Sequence, residues 1–466
     1  MASLNETKDE NTATSNEAAP GSATIAETDQ QPEQQRENNQ QHVVVSKTYT
    51  TNVEPNNPLP LDWTKMGGHT DDQDEMPERC PHEVADWLPE DTDVCIVGTA
   101  GQKITVLGDD FANPDRTNLL ELTSLVLRSH LIKQMPGLGS LSKLETLELY
   151  DNMVQSLDEE SLKGCGRTTL RILDMSYNAI RSMTPVQYCN GDTLTELYLA
   201  NNKLKDISGV NHLKNLRKLD LGANKIRVLK GSELSGLINL EELWVGKNKI
   251  DSLEGIESLS KLRRLDVQSN RLTSLVNDAD GLCYLNPLRD TLEELYLAHN
   301  GLDDDGVSGL ISLAGRGNSG INFPNLTVLD LSRNRLTTTS TLVVDSKNDD
   351  VFGEWPLLEE IWLSGNEFET FDAICPLKEA SGRNQLPLLE TIYLEYNPVA
   401  KDFEYRKRLA EFLPTLKQID ATMIRGYGSV SVPTGNGAVL GTEERLRQMQ
   451  GAAIQRAKEQ NPTTES

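Results

Sequence analysis

From Leu122 to Val399 the chain repeats one apolar frame eleven times, L-x-x-[LI]-x-[LMV]-x-x-N-x-[LIVF]. The first copy, Leu122/Leu125/Leu127, has His130 at the ninth position, where the others have Asn152, Asn178, Asn202, Asn224, Asn248, Asn270, Asn300, Asn334, Asn366 and Asn397. The spacing is 22 to 26 residues through Asn270 and 30 to 34 thereafter. A unit this short cannot bury its own apolar face, so each copy depends on the next, and the chain is constrained to grow as a stack.

Within each copy apolar and variable residues alternate, as in L-E-T-L-E-L-Y-D-N ending at Asn152. Period two makes this a short strand with one buried face, and successive copies must then pair in parallel. The asparagine ends the strand, and its amide can both donate and accept bonds to backbone of the turn, stacking from coil to coil. Return segments such as Ile207/Val210/Leu213 and Leu253/Ile256/Leu259 step by three, which suits a 3₁₀ or short helical turn. The expected fold is an α/β solenoid: a leucine-rich-repeat horseshoe with a parallel concave β-sheet, 3₁₀ or short helices on the convex side, and a cap at each end.

Five regions follow. Residues 1–79 hold 15 Asp and Glu against 5 Lys and Arg and are rich in Gln, Asn, Thr and Ser, so they are expected to form a disordered acidic tail. Residues 80–120 turn apolar and are expected to cap the first repeat. The repeats occupy 121–400. In 401–425, Phe403, Leu409, Phe412 and Leu413 fit one helix face, and Leu416 and Ile419 restart the strand frame, which makes a carboxyl-terminal cap. Residues 426–466 are expected to be a flexible tail. Four swollen connections, Val276–Thr291, Asp303–Pro324, Thr337–Pro356 and Glu369–Pro387, read as surface loops from their Gly, Asp, Asn and Ser content.

In the strand frame the residues between the apolar positions face the concave side. The row between the second and third frame positions is Val126, Glu148, Asp174, Tyr198, Asp220, Trp244, Asp266, Tyr296, Asp330, Trp362, Tyr393. After Val126 it holds only carboxylates and aromatics, and the row before it adds Glu196, Glu242, Glu294 and Glu360. Such residues could be cross-strand pairs worth roughly 0.2–1 kcal/mol each. A whole stripe of them points instead to an interaction surface for a basic protein, because Trp and Tyr dominate interface hot spots and interleaved acid steers cationic partners.

Composition and motifs exclude other classes. A formal net charge of -26 repels nucleic acid and acidic membranes. No run reaches the roughly 18 apolar residues of a membrane span, and the amino terminus has no apolar leader, so a soluble intracellular protein is expected. Six scattered cysteines without a C-x-x-C pair suit reduced thiols. Cys80 and His82 have no partner pair at metal-ligand spacing, and His130, His212 and His299 read as replaceable turn residues. No P-loop, H-E-x-x-H or G-x-S-x-G pattern occurs; no catalytic role, cofactor or metal is expected.

The stretches LELYDN (147–152), LEELWVGKNKI (240–250), VQSNRLTSL (267–275), LEELYLAHNGL (292–302) and LETIYLEYNPVAKDFEYRKRLAEFLPTLKQIDATMIR (389–425) resemble the protein phosphatase 1 regulatory subunit 7 family. The resemblance implies a non-catalytic regulatory subunit of nucleus and cytoplasm. Its concave face would bind the catalytic subunit of protein phosphatase 1, with a third regulatory subunit as a further candidate partner, and control its maturation, location or mitotic activity. By motif, the partner-binding residues it implies are Asp174, Tyr198, Asp220, Trp244, Asp330, Glu360, Trp362 and Tyr393. Tyr198 and Trp244 stand where that family often has Phe. The alternative is a leucine-rich-repeat scaffold of a cytoskeletal, axonemal or RNA–protein complex, which shares repeat and cap but takes another partner.

Overall fold

A computed structural model of the chain describes residues 48–49, 79–81, 92–107, 120–277, 281–310, 323–343 and 355–424. Most of the expected acidic tail, His82, the carboxyl-terminal tail 426–466 and parts of the first three swollen connections lie outside the described residues.

Among the described residues fifteen short strands form one sheet in chain order. They are β1 (Thr48–Tyr49), β2 (Asp93–Val97), β3 (Ser124–Arg128), β4 (Thr146–Glu148), β5 (Ile172–Asp174), β6 (Glu196–Tyr198), β7 (Lys218–Asp220), β8 (Glu242–Trp244), β9 (Arg264–Asp266), β10 (Glu294–Tyr296), β11 (Val328–Asp330), β12 (Glu360–Trp362), β13 (Thr391–Tyr393), β14 (Gln418–Ile419) and β15 (Thr422–Met423). Every neighbouring pair is parallel except β14 with β15. Equivalent frame positions face each other, as in Leu219, Leu243 and Leu265, so each leucine packs on its own copy in the next coil. These side chains are fully buried, and a single apolar core runs the length of the ladder. This is the expected leucine-rich-repeat solenoid, with its strands on the inner face and short helices behind.

The strands end where they do because of one backbone device. In every frame copy the residue before the asparagine, or before His130, has a φ between 52° and 68°, and only Gly365 among them is a glycine. Left-handed conformation costs a non-glycine residue on the order of 1 kcal/mol. The asparagine offsets that cost. Asn224 donates its amide to the carbonyls of Leu199, Leu221 and Gly222 at 3.0, 3.0 and 3.2 Å, and its Oδ1 accepts the Leu204 N–H at 3.0 Å. One side chain thus satisfies backbone groups of two coils, and nearly the same set recurs at Asn202, Asn248, Asn270 and Asn300.

His130 is not the replaceable turn residue that its isolation in the sequence indicated. It is 3% exposed and does the work of the asparagine: Nδ1 accepts the Ile104 N–H and Nε2 donates to the Ile96 carbonyl, both at 3.1 Å. Accepting at Nδ1 requires a neutral ring, and burial pushes its pKa down from 6.5 to about 4.

On the return side, adjacent coils touch backbone to backbone, which is why Gly236 lacks a side chain: a Cβ there would lie 1.4 Å from the Asn211 carbonyl oxygen. The long connections keep the core filled with larger residues. Phe323 and Trp355 stack with centroids 5.7 Å apart, and the Trp355 indole donates to the Leu342 carbonyl at 2.8 Å. Glu369–Pro387, expected to be a loop, instead contains a 3₁₀ turn at Phe371–Ala373 and an α-helix at Cys375–Gly382. Phe371, Ile374, Leu377 and Ala380 are buried there at a three-residue step, which outweighs the loop-like composition around it.

At the carboxyl end the helix Tyr405–Phe412 buries Tyr405 and Leu409. Phe403 does not share that face; it precedes the helix and is 92% exposed. Tyr405 takes the expected place, and its hydroxyl bonds the fully buried Asp420. Asp420 also accepts the Leu394 and Glu395 N–H groups at 2.9 and 3.0 Å and pairs with Arg406 at 3.2 Å, which fastens the cap to β13.

Two measurements check these assignments. Asn224→Ala strands two buried carbonyls and one N–H, so urea unfolding followed by circular dichroism should show a loss of about 3 kcal/mol or more; a loss below about 1 kcal/mol would contradict the ladder. For His130 the folded pKa lies below the unfolded value, so its stabilisation is complete above pH 6.5 and falls by about 1.4 kcal/mol per pH unit down to about pH 4. The His130→Asn variant should lack this acid-side slope, and an unchanged slope would rule the histidine out as its source.

Candidate partner-binding face

The ladder places every second strand residue on the inner face, and the register decides which of these become neighbours. Glu148, Asp174, Tyr198, Asp220, Trp244, Asp266, Tyr296, Asp330, Trp362 and Tyr393 are consecutive partners across β4 to β13. From Asp174 to Trp362 carboxylate and ring alternate without exception. The row two residues earlier runs Ile172, Glu196, Lys218, Glu242, Arg264, Glu294, Val328, Glu360. The true repeat of the face is therefore two coils: a glutamate with an aromatic, then a cation or aliphatic residue with an aspartate. Sequence reasoning found the acids and rings but not Lys218 and Arg264, although both stand in the row that supplied Glu196 and Glu242.

The two kinds of acid are held differently. The glutamates are met by other side chains: Glu196 accepts the Tyr198 hydroxyl and Glu294 the Tyr296 hydroxyl, each at 2.6 Å, and Glu360 accepts the Trp362 indole N–H at 2.9 Å. Lys218 lies 3.7 and 3.9 Å from Glu196 and Glu242, and Arg264 lies 2.5 Å from Glu294. The aspartates are tied to backbone. Asp174, Asp220, Asp266 and Asp330 accept the N–H two residues on, at Ser176, Gly222, Gln268 and Ser332, over 2.8–2.9 Å. That bond orients each carboxylate and helps the strand turn, but no ion pair neutralises any of the four among the described residues.

Burial therefore raises all four. Asp220 is pushed up to about 6, with the charges of Asp266 and Asp174 adding to the effect of burial against the Gly222 bond. Asp330 reaches about 6 for the same first reason, opposed by its bonds to Ser332. Tyr198 and Tyr296 are raised by burial and by the glutamates that hold them. Arg128 near Asp174 and Arg264 and Lys247 near Asp266 only partly offset the effect of burial; a row of buried like charges costs stability, and such groups cluster at functional sites.

Of the implied partner-binding residues, Asp174, Tyr198, Asp220, Trp244, Glu360 and Trp362 are half-buried on this face. Asp330 is 1% exposed and Tyr393 7%. The Trp362 ring meets Tyr296 at 6.1 Å and Tyr393 at 5.5 Å, both edge-on, while the Tyr393 hydroxyl accepts from Gln418 at 2.6 Å. The carboxyl-terminal end of the face is thus a closed aromatic cluster with Asp330 within it. At the amino-terminal end Arg128 pairs with Glu148 and lies over the Tyr150 ring, which packs against Tyr177 at 4.9 Å. This second cluster sits beside the row, where strand periodicity gives no signal. Among the described residues no three His, Cys, Asp or Glu converge as metal ligands, and no helix is long and apolar enough to cross a membrane.

The charged aspartates should weaken the free protein. Because the folded pKa of Asp220 is raised from 3.8 to about 6, its favourable contribution is present below pH 3.8 and lost as pH rises through 6, at most about 3 kcal/mol. Asp220→Asn keeps the Oδ1 acceptor for Gly222. It should be more stable than the parent at pH 7 by about 1–3 kcal/mol, with the gap closing near pH 4; a gap independent of pH refutes the electrostatic account.

Leucine-rich-repeat family models match residues 168–226 and 214–272, 291–310 and 325–345. The chain is 49% identical over 49 residues to protein phosphatase 1 regulatory subunit 7 of Xenopus tropicalis, covering 10% of this chain and 13% of that protein. It is 45% identical over 69 residues to protein phosphatase 1 regulatory subunit SDS22 of Schizosaccharomyces pombe, covering 14% and 19%. These matches span less than a fifth of either relative. Among solved structures a leucine-rich-repeat protein of Leptospira interrogans overlaps 71% of this chain and 84% of its own, with 22% identity and a TM-score of 0.46. The chain carries leucine-rich repeats and has local similarity to regulatory subunits of protein phosphatase 1.

Proposed function

We propose that the protein is a regulatory subunit that binds the catalytic subunit of protein phosphatase 1 through the inner face of its sheet, in nucleus and cytoplasm, and controls that enzyme's maturation, location or activity. The observation that carries this reading is the uninterrupted Asp/aromatic row from Asp174 to Trp362, set in register on one face. Local identity to two regulatory subunits of that phosphatase supplies the candidate partner. Eleven strands at about 4.8 Å make a face roughly 48 Å across, enough for a standard protein interface. Its half-buried rings supply anchors, and its unneutralised aspartates select a basic counterpart.

The partner reading is tested by Glu360→Ala combined with Trp362→Ala. Affinity purification of the double variant should recover the phosphatase catalytic subunit at least tenfold less efficiently than the parent. Lys163→Ala, on a short helix of the return side, should recover it undiminished. Circular dichroism should show both variants folded, with a modest drop in melting temperature for the first because Trp362 packs on Tyr296 and Tyr393. Undiminished recovery by the folded double variant removes these two residues from the interface. A native partner list dominated by cytoskeletal or RNA–protein components replaces the phosphatase reading altogether.

A further inference from the structure

The inner face repeats one three-strand constellation, a carboxylate flanked in register by an aromatic residue on either side. It occurs as Tyr198–Asp220–Trp244, Trp244–Asp266–Tyr296 and Tyr296–Asp330–Trp362. Two strand spacings separate the flanking residues, about 9.6 Å. A cation seated on the central carboxylate would then stand one strand spacing, about 4.8 Å, from the backbone of each flanking aromatic, which leaves both side chains able to turn a ring to within the roughly 6 Å over which a cation is drawn to it.

The three are not equivalent. At Asp330 the flanking rings have closed on each other at 6.1 Å and the carboxylate is 1% exposed. At Asp266 the second oxygen accepts the Gln268 amide at 2.9 Å, so its acceptor is used within the chain. At Asp220 only Oδ1 is used, by the Gly222 N–H at 2.8 Å, and Oδ2 has no donor among the described residues. Lys218, the nearest cation in sequence, is turned to Glu196 and Glu242. No described side-chain cation lies over Tyr198 or Trp244. The Trp362 indole is held by its glutamate, whereas the Trp244 indole N–H has no acceptor among the described residues. Glu196 holds the Tyr198 hydroxyl, which fixes that wall and leaves the phenol a donor only toward its own strand.

We infer that Tyr198, Asp220 and Trp244 form an open cage for a lysine ammonium group of the partner, while the chain's own groups fill the other two constellations. The inference rests on the inner face being the partner-binding surface and specifies the chemistry that it accepts. One free carboxylate oxygen between two ring positions suits a compact ammonium, whereas a guanidinium fork gains most from two free oxygens. An entering cation also relieves the charge that Asp220 shares with Asp174 and Asp266. The unpartnered indole N–H can donate to a backbone carbonyl beside the incoming lysine.

The test uses the full chain and the pentapeptide acetyl-Gly-Gly-Lys-Gly-Gly-amide, with norleucine and arginine versions as controls. The readout is the Trp244 indole ¹⁵N–¹H resonance, assigned by its loss in Trp244→Phe. The lysine peptide should shift it saturably, and norleucine, equal in apolar length but uncharged, should not. Arginine should bind at least threefold more weakly than lysine. Asp220→Asn, which keeps the Gly222 bond, should weaken the lysine response about tenfold, and Glu160→Gln, at an exposed carboxylate on the short helix of the return side, should leave it within twofold. Equal shifts with norleucine, tighter binding of arginine, or equal losses in the two carboxylate variants overturn the cage. Titration with the phosphatase catalytic subunit is run separately. Failure there with the lysine response intact overturns the partner reading and leaves the cage, while phosphatase binding without a lysine response overturns the cage alone.

Discussion

The structure depends on what one asparagine side chain does at the end of each strand. A strand three residues long must turn at once if the chain is to travel back and begin the next coil. The turn is made by a residue held in left-handed conformation, and ten of the eleven frame copies use a residue that disfavours it. Asn224 and its equivalents make that turn affordable by bonding the carbonyls of two adjacent coils and one further N–H. The same bonds set the register between coils, so the leucines stack on their own copies and everything on the opposite face lines up with equal regularity. His130 shows that the requirement is chemical rather than specific to asparagine: any buried side chain with an acceptor and a donor in the right place can do it, provided that it is neutral.

Regular register turns a modest sequence pattern into an electrostatic one. Lys218 and Arg264 fall between glutamates and pair with them, while Asp220, Asp266 and Asp330 in the neighbouring row fall between aromatic residues and have no ion pair among the described residues. Burial then acts in opposite directions at two places in the same molecule. At His130 it keeps a base uncharged and makes the fold sensitive to acid; at Asp220 and Asp330 it disfavours the charged acid, so the free protein is strained at neutral pH. The first is a structural cost of capping the ladder with a histidine. The second has no structural benefit that an asparagine would not equally provide, since the Oδ1 bond survives that change, and this is the strongest physical reason to read the aspartates as kept for a partner.

Most of the fold was legible in the sequence. Period two with an asparagine punctuation dictated strand, turn and parallel stacking, and the 3-residue spacing of Leu253, Ile256 and Leu259 dictated the return. The exceptions share a cause. The helix at Cys375–Gly382 is hidden because polar residues around Phe371, Ile374, Leu377 and Ala380 resemble a loop by composition, and Phe403 fits the spacing of the cap helix without belonging to it because apolar spacing does not reveal where a helix begins. A lone histidine such as His130 carries no signal in the sequence until the strands that flank it bring the Ile96 carbonyl and Ile104 N–H within reach.

For the candidate site the division is equally physical. The sequence by itself determined which residues face the same side, because side-chain direction along a strand depends only on counting by two. Tertiary structure alone decided which of them remain available. Asp330 and Tyr393 obey the same count as Asp220 and Trp244, yet ring packing across strands closes over one pair and leaves the other open. Counting along a chain fixes direction; contact between coils, which depends on ring size, local pairing and the neighbour 22 to 34 residues away, decides exposure and charge.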